Sequence, residues 1–304
     1  MTWIELPTLN PATSSDAAQI DMRKGTDMEL NTEKMIGEKE GGVGWMIFNN
    51  PERRNAMALE MWEAVETILD ELESDNEIKV IIMKGAGDKA FVSGADISEF
   101  KERRNNAEAA ADYARISEGA RARLMAVKKP LIAMIQGYCL GGGMAVAMAA
   151  DMRFASNDSQ FGIPAARLSI AYGFDGLHKL VHLVGPAMAS EIMFTARRVS
   201  PEEAQKIGLI NRAVPIDKLE PAVREVADAI CRNAPLSIAA SKHTIRQILT
   251  DKEDQLHLLA QAMLEYETLT GEEIDQLLKD GKLDRPDEPK GPSKPRPVSG
   301  SAVP

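Results

Sequence analysis

The stretch LIAMIQGYCLGGGMAVAMAA, residues 131–150, decides the fold. Its first part, Leu131 to Gln136, is an apolar run long enough for a buried strand, and Gly137 breaks it. Three glycines then precede Met144 to Ala150, a segment that is apolar on every side and predicts a buried helix. A strand, a glycine turn and a helix in this order direct free backbone N–H groups, and the positive end of the helix dipole, at whatever lies above the glycines.

Such a junction suits an anion, or an oxygen atom that becomes negative during a reaction. The simpler alternative is a tight turn whose glycines only let the helix pack closely on its neighbours.

The composition is that of an ordinary globular protein. The 304 residues are 44% hydrophobic and 27% charged, with a formal charge of −10. We therefore expect one or two domains, and no nucleic-acid or anionic-membrane partner. Two cysteines make no disulfide framework, and the start MTWIELPTLN lacks the basic and apolar parts of a secretory signal. The longest nearly apolar run, residues 140–150, is shorter than the ~18 residues of a membrane span. We expect a soluble, cytoplasmic protein.

A second junction of small residues lies earlier in the chain, at KAFVSGADISEF, residues 89–100. A strand-like start runs into Gly94, and Asp96 occupies the position of a helix N-cap. Short apolar runs alternate with helical periodicity, as in the predicted strand Val80–Met83 and the predicted helix Met57–Glu73. This alternation predicts an α/β fold with helices packed on a parallel sheet.

Composition also divides the chain into parts. We predict a flexible N-terminal extension over 1–28, the main domain over 29–250, a charged helical segment over 251–285 and a disordered, proline-rich tail over 286–304. Within the main domain we expect a loop at Phe161–Pro164 and a short helix at Ser190–Ala196.

Both glycine junctions belong to longer blocks, KAFVSGADI at 89–97 and IQGYCLGGGMAVAMAADMRFAS at 135–156. Together with FGIPAARLSIAYG at 161–173 and further blocks up to residue 242, they resemble the crotonase superfamily, the enoyl-CoA hydratase/isomerase family. The resemblance implies a crotonase-like spiral core of repeated ββα units with C-terminal helices, assembled as a homotrimer or hexamer. It also implies an acyl-CoA substrate and no cofactor apart from the coenzyme A that the substrate carries.

The resemblance also implies the site residues. The thioester oxygen would lie between the backbone N–H groups of Ala95 and Gly142, which form an oxyanion hole. The residues that it implies around coenzyme A are Arg54, Ala56, Ser93, Ala95, Asp96, Ile97 and Gly142. For the arginine, a solvated surface position is an equal alternative.

The chain departs from the hydratases of this family at two positions. Those enzymes carry glutamates where this chain has Ala145 and Ala165, and alanine neither holds nor moves a proton. Because a positioned acid–base group contributes about 10²–10⁴ in rate, we expect a poor hydratase. Decarboxylation or another lyase or hydrolase step needs only the enolate-stabilising hole and is favoured. An enoyl-CoA hydratase of fatty-acid metabolism and a non-catalytic acyl-CoA-binding protein are the alternatives.

AARLSIAYGFDGLHKL, residues 165–180, is similar to the matching region of bacterial methylmalonyl-CoA decarboxylase in the spacing of Tyr172, Gly176 and His178. The similarity implies that Tyr172 reaches the reacting carboxylate; its alternative is a core tyrosine with a bonded hydroxyl. Asp175 is the best substitute proton carrier, and a structural role is expected for His178. His178 and His182 have the spacing of a helical metal pair, but no third ligand is evident, so we predict no metal site.

The C-terminal part departs from the family in a different way. LLAQAMLEYETLTGEEIDQLL, residues 258–278, resembles the end of the FtsH-type ATP-dependent zinc metalloprotease. The chain contains neither the ATPase P-loop nor the H-E-x-x-H zinc motif, so protease function does not follow. We predict a junction near residues 252–255.

Overall fold

The computed structural model describes residues 26–96 and 107–246, with residues 273, 276, 277 and 282. The strands are β1 Thr26–Asp27, β2 Met35–Glu40, β3 Val43–Phe48, β4 Val80–Gly85, β5 Ala90–Val92, β6 Leu131–Ile135, β7 Tyr138–Leu140, β8 Met152–Ser156, β9 Gln160–Gly162 and β10 Arg212–Val214. The helices are α1 Leu59–Ser74, α2 Ala107–Met125, α3 Gly142–Ala149, α4 Phe174–Thr195, α5 Pro201–Lys206 and α6 Ile216–Arg232. Short 3₁₀ helices cover Pro51–Arg53 and Pro164–Arg167, and residues 235–246 are helical.

Three of the sequence predictions concern residues that are mostly outside this description. The N-terminal extension is described only from residue 26, the segment 251–285 only at the four single residues, and the predicted tail 286–304 lies outside the described residues. The predicted site residue Ile97 also lies outside the described residues.

A seven-stranded sheet, in the order β1-β2-β3-β4-β6-β8-β10, forms the body of the fold. From β3 onward the neighbouring strands are parallel, as predicted. The first three strands are antiparallel, which is a departure from the predicted parallel sheet. The cause is local: Gly41, with a φ of +56°, and Gly42 close a tight hairpin between β2 and β3.

Helices cover both faces of this sheet, and every residue of β3 is therefore buried. On one face α1 buries Met61 and Leu69 in the larger part of the core. On the other face α6 buries Leu219 and Val223 against alternate residues of the same strands. The result is an α/β core in which the sheet is the middle layer.

A second sheet, made of β5, β7 and β9, carries the glycine junctions. The sequence predicts a loop at Phe161–Pro164, and this expectation is wrong, because Phe161 and Gly162 belong to β9. The strand β7 after Gly137 was not predicted. Each of these strands has three residues, which is too short for a period-two pattern to be recognised. Gly137, with a φ of +64°, turns the chain from β6 into β7, and a Cβ there would collide with the Lys89 carbonyl oxygen.

Helix α4 is much longer than the short helix predicted at Ser190–Ala196. It runs from Phe174 to Thr195 and contains a kink at Gly185, whose φ is 77°, just before Pro186. Glycine and proline together read as an interruption in the sequence, but here the chain continues as a helix beyond the kink.

The described residues up to Lys242 belong to one compact unit, and those from His243 onward belong to another. Within the first unit, the Lys242 ammonium lies 2.6 Å from a carboxylate oxygen of Asp151. The same oxygen accepts a hydrogen bond from the Leu131 amide at the start of β6. This ion pair, in which the lysine is buried and the carboxylate is partly exposed, anchors the end of the unit beside the strand that leads into the glycine junction. None of the described helices has the long apolar run that crossing a bilayer requires.

Candidate active site

The glycine junction of residues 141–143 is the N-terminus of α3. Gly141 has a φ of +52°, which glycine adopts without steric cost, and the helix begins at Gly142. The Gly141 carbonyl oxygen accepts a hydrogen bond from the Ala145 amide at 3.3 Å. Because the C=O and N–H of one trans peptide point in opposite directions, the Gly142 N–H points out of the end of the helix.

Ala95 follows β5 and lies beside the segment that precedes α1. The Met57 amide donates to the Gly94 carbonyl at 2.8 Å, and the Asp96 amide donates to the Met57 carbonyl at 3.0 Å. In this parallel bridge both bonds of Met57 go to the residues on either side of Ala95. The N–H of Ala95 itself therefore faces away from Met57. A Cβ built on Gly142 would lie 3.6 Å from the Ala95 nitrogen. The two amides therefore adjoin, and neither donates to an acceptor among the described residues.

Gly143 explains how the two junctions come so close. A Cβ at this position would collide with the carbonyl oxygen of Val92, the last residue of β5. Only glycine lets α3 pack this tightly on β5. The alternative interpretation of the glycines, close helix packing, is thus correct for Gly143, while Gly142 supplies the outward amide.

A buried asparagine that the sequence analysis missed holds the loop before α1. The Asn55 side-chain amide donates to the carbonyl oxygens of Ala86 and Ala90, at 2.9 and 2.7 Å. Its side-chain oxygen accepts from the Asn50 amide at 2.9 Å. Asn55 is fully buried and has a φ of 55°, a conformation that asparagine tolerates better than most residues. An asparagine in a predicted loop is the sequence signal that could have identified this residue, because asparagine tolerates a positive φ.

The predicted coenzyme A residues around this loop are brought together. The Ser93 amide donates to the Arg54 carbonyl at 3.1 Å, and Ala56 and Asp96 are buried beside them. The exposed Arg54 guanidinium lies 5.1 Å from the centre of the Tyr138 ring, and Arg198 lies at the same distance. Two guanidinium groups at one ring favour phosphate or other anionic groups.

A cavity of about 790 Å³ opens beside the two amides. Ala95, Gly142, Ala145, Tyr172 and Asp175 line it, together with residues of α2. Ala165, at the second position where a glutamate was expected, is buried in the core instead. The predicted catalytic residues therefore surround one space.

Tyr172 lines this cavity, and its hydroxyl donates to the Gly141 carbonyl oxygen at 3.1 Å. Burial raises the pKa of the Tyr172 hydroxyl well above its usual range, so it stays protonated and acts as a donor. A Cβ on Gly176 would lie 2.6 Å from the tyrosine ring, which explains why a glycine follows at that spacing. His178 stacks on Phe174, with ring centres 5.7 Å apart.

The cavity wall also carries charges that the sequence did not single out. Glu118 and Arg121 come from α2, and Lys179 joins Asp175 on α4. The Arg121 guanidinium carbon lies 5.6 Å from the centre of the Trp62 ring. These groups come from distant parts of the chain, and no local pattern predicts that they meet.

Comparison with known proteins identifies the family to which this chain belongs. Residues 38–279 match the family model described as enoyl-CoA hydratase/isomerase. The chain belongs to the enoyl-CoA hydratase/isomerase family. The predicted crotonase-like α/β fold and the expectation of an enzyme acting on acyl-CoA are confirmed at this level.

Several relatives of the family resemble this member over most of their length. The short-chain-enoyl-CoA hydratase of Clostridium acetobutylicum is 39% identical over 72% of this chain and 83% of its own. The crotonyl-CoA hydratase of Syntrophomonas wolfei is 33% identical over 69% and 80%. The crystal structure of an enoyl-CoA hydratase from Bacillus anthracis superimposes with a TM-score of 0.69, at 28% identity, over 82% and 97%.

Two narrower resemblances receive no support from these matches. Neither the family model nor these relatives points to methylmalonyl-CoA decarboxylase or to an FtsH-type tail. The family match ends at residue 279 and so includes most of the segment placed beyond the predicted junction. Both likenesses stay predictions.

Proposed function

We propose that this enoyl-CoA hydratase/isomerase family member stabilises the enolate of an acyl-CoA thioester between the Ala95 and Gly142 amides. One observation carries the proposal: two adjoining amides without an acceptor among the described residues, one of them at a helix N-terminus, border a cavity. Donors aimed at a developing oxyanion are worth several kcal/mol, because the loss of one costs about 2.7–4 kcal/mol.

We further propose that the reaction is a decarboxylation or a related lyase or hydrolase step. Hydration requires a base for water and an acid for the α-carbon, and Ala145 and Ala165 supply neither. In decarboxylation the bond to the carboxylate breaks, CO₂ leaves, and its electron pair enters the enolate that the hole stabilises. A proton then returns to the α-carbon. Asp175, exposed at the cavity wall, is the proposed carrier of that proton.

A comparison of three substrates tests this choice. Purified protein is offered crotonyl-CoA, methylmalonyl-CoA and malonyl-CoA, and the products are followed by mass. We expect loss of CO₂ from a malonyl-type thioester and little hydration of crotonyl-CoA. Hydration at ordinary hydratase rates would instead favour the alternative named by the relatives, an enoyl-CoA hydratase. Binding of all three without turnover would favour a non-catalytic acyl-CoA-binding protein.

Replacing Tyr172 by phenylalanine tests how its hydroxyl contributes. The hydroxyl holds the carbonyl of the same peptide whose N–H belongs to Gly142, so its loss leaves that amide less firmly oriented. We expect kcat to fall about fivefold, as for one hydrogen bond, with little change in KM. Because the pKa of Tyr172 is raised, the wild-type rate should show no step from its ionisation up to pH ~10. An unchanged kcat in the variant would contradict the role.

The assembly and location of the protein are also proposals. We propose a homotrimer or hexamer in the cytoplasm, supported by large apolar side chains that stand exposed at and before the start of α4: Leu168, Ile170 and Phe174. An FtsH-like C-terminal segment would weaken this assembly. Native mass spectrometry should show trimers or hexamers, and a stable monomer would contradict the proposal.

A further inference from the structure

We propose that Arg121 and Trp62 form a carboxylate-binding subsite in the cavity, and that the acyl group is therefore that of a dicarboxylic acid. This inference rests on the proposed function, because it places the thioester at Ala95 and Gly142. It adds a recognition site for the second carboxylate of the substrate.

The first observation is a buried donor without an acceptor. Trp62, on α1, lines the cavity and is 2% exposed, and its indole N–H has no hydrogen-bond partner in the part of the chain that the structure describes. Buried donors without partners are rare, because removing them from water is costly. A ligand oxygen in the cavity would supply the missing acceptor.

The second observation is a cation without a carboxylate partner. Helix α2 carries three arginines. Arg115 lies 3.5 Å from Asp112, and Arg123 lies 2.7 Å from Asp70. The remaining one, Arg121, makes no ion pair within the described ranges 26–96 and 107–246, and its guanidinium instead faces the Trp62 ring. A half-buried guanidinium in a cavity wall is well suited to a planar carboxylate.

The third observation places this pair near the reacting atoms. Arg121 and Trp62 line the same cavity as Ala95, Gly142 and Tyr172. Burial raises the pKa of the Tyr172 hydroxyl, and the Arg121 charge acts in the opposite direction. The same hydroxyl bonds to Gly141, whose peptide supplies the Gly142 amide. A substrate with its thioester at the amides would therefore bring a carboxylate on a short chain to Arg121. Glu118 and Asp175 also line the cavity but are exposed to solvent, which weakens their opposition to an anion.

Binding of saturated acyl-CoA pairs tests the subsite without requiring turnover. Butyryl-CoA is compared with succinyl-CoA, and pentanoyl-CoA with glutaryl-CoA, by isothermal titration calorimetry. For at least one pair we expect the dicarboxylic thioester to bind about tenfold to a hundredfold more tightly, as for a charge-assisted contact. The Arg121→Gln variant should lose this preference while its affinity for the monocarboxylic member stays unchanged.

Two further variants make the result specific. Trp62→Phe keeps an aromatic ring but removes the N–H, so we expect it to lower the preference by about fivefold. Arg115→Gln is the matched control, since Arg115 lies on the same helix outside the cavity lining, and it should leave both affinities unchanged. If Arg121→Gln does not fold, Arg121→Lys keeps the charge without the planar fork and should reduce the preference.

Three results would overturn the subsite: equal affinity for both members of each pair, an equal loss for both members in Arg121→Gln, or the same change in Arg115→Gln. Failure of the proposed reaction would be seen separately. If methylmalonyl-CoA is not decarboxylated but the dicarboxylic preference persists, the subsite stands and the reaction does not. If decarboxylation occurs but no preference depends on Arg121, only the subsite fails.

Discussion

Replacing Gly142 by proline is expected to lower turnover by a factor of about 10²–10³. Proline has no backbone N–H, so the variant lacks one of the two proposed oxyanion donors. Gly142 is the first residue of α3, the position of a helix that accepts proline best, and the helix should therefore persist. Steady-state kinetics with the thioester that the wild-type protein turns over, together with circular dichroism, measures both effects.

The control for this experiment is Gly142→Ala. Alanine and proline both add a Cβ, which would lie 3.6 Å from the Ala95 nitrogen, an ordinary contact distance. Only proline also removes the N–H, so the difference between the two variants reports the amide. Equal activity in both, with the fold intact, would show that this amide is not a donor in the reaction.

Replacing Asn55 by alanine is expected to lower the free energy of unfolding by about 3 kcal/mol. The change removes the partners of two carbonyl groups, Ala86 and Ala90, and of the Asn50 amide, in a place where Asn55 itself is fully buried. Alanine also fits a φ of 55° less well than asparagine. Urea unfolding followed by circular dichroism measures the change.

Asn49 provides the comparison. Its side chain makes one exposed hydrogen bond, to the Glu33 carbonyl at 2.8 Å, and Asn49→Ala should cost less than about 1 kcal/mol. If Asn55→Ala is no more destabilising than Asn49→Ala, the buried network does not hold the loop in the way that its geometry indicates.

The central strand and helix could be predicted because their local signals agree. In residues 131–150 a continuous apolar run, a glycine break and an apolar helical segment all indicate the same structure. Both ends of the observed β6 and both ends of the observed α3 lie within two residues of the predicted ends. That the glycine junction exposes amides followed from the same logic, since glycines before a buried helix leave backbone N–H groups free. The choice of Gly142 among the three glycines, and of Ala95, required the family resemblance, because an alanine carries no signal of its own.

The rest depends on contacts between distant parts of the chain. The strand β9 forms because it pairs with β7, and a sequence of three residues is too short to predict that pairing. Arg121 and Trp62 lie on different helices, and only the packing of α1 against α2 brings them to one cavity. Local sequence patterns therefore indicate the main-chain junction more readily than the side chains that meet across the cavity.

The tight packing at Gly137 and Gly143 has a practical consequence for protein engineering. At both positions any side chain would strike a main-chain carbonyl, so a mutant library should leave them unvaried. Ala145, by contrast, already carries a side chain and lines the cavity from helix α3. Laboratory evolution that randomises Ala145 and keeps Asp175, the proposed proton carrier, should yield folded proteins with altered acyl preference, while the backbone around the two proposed donor amides stays constant.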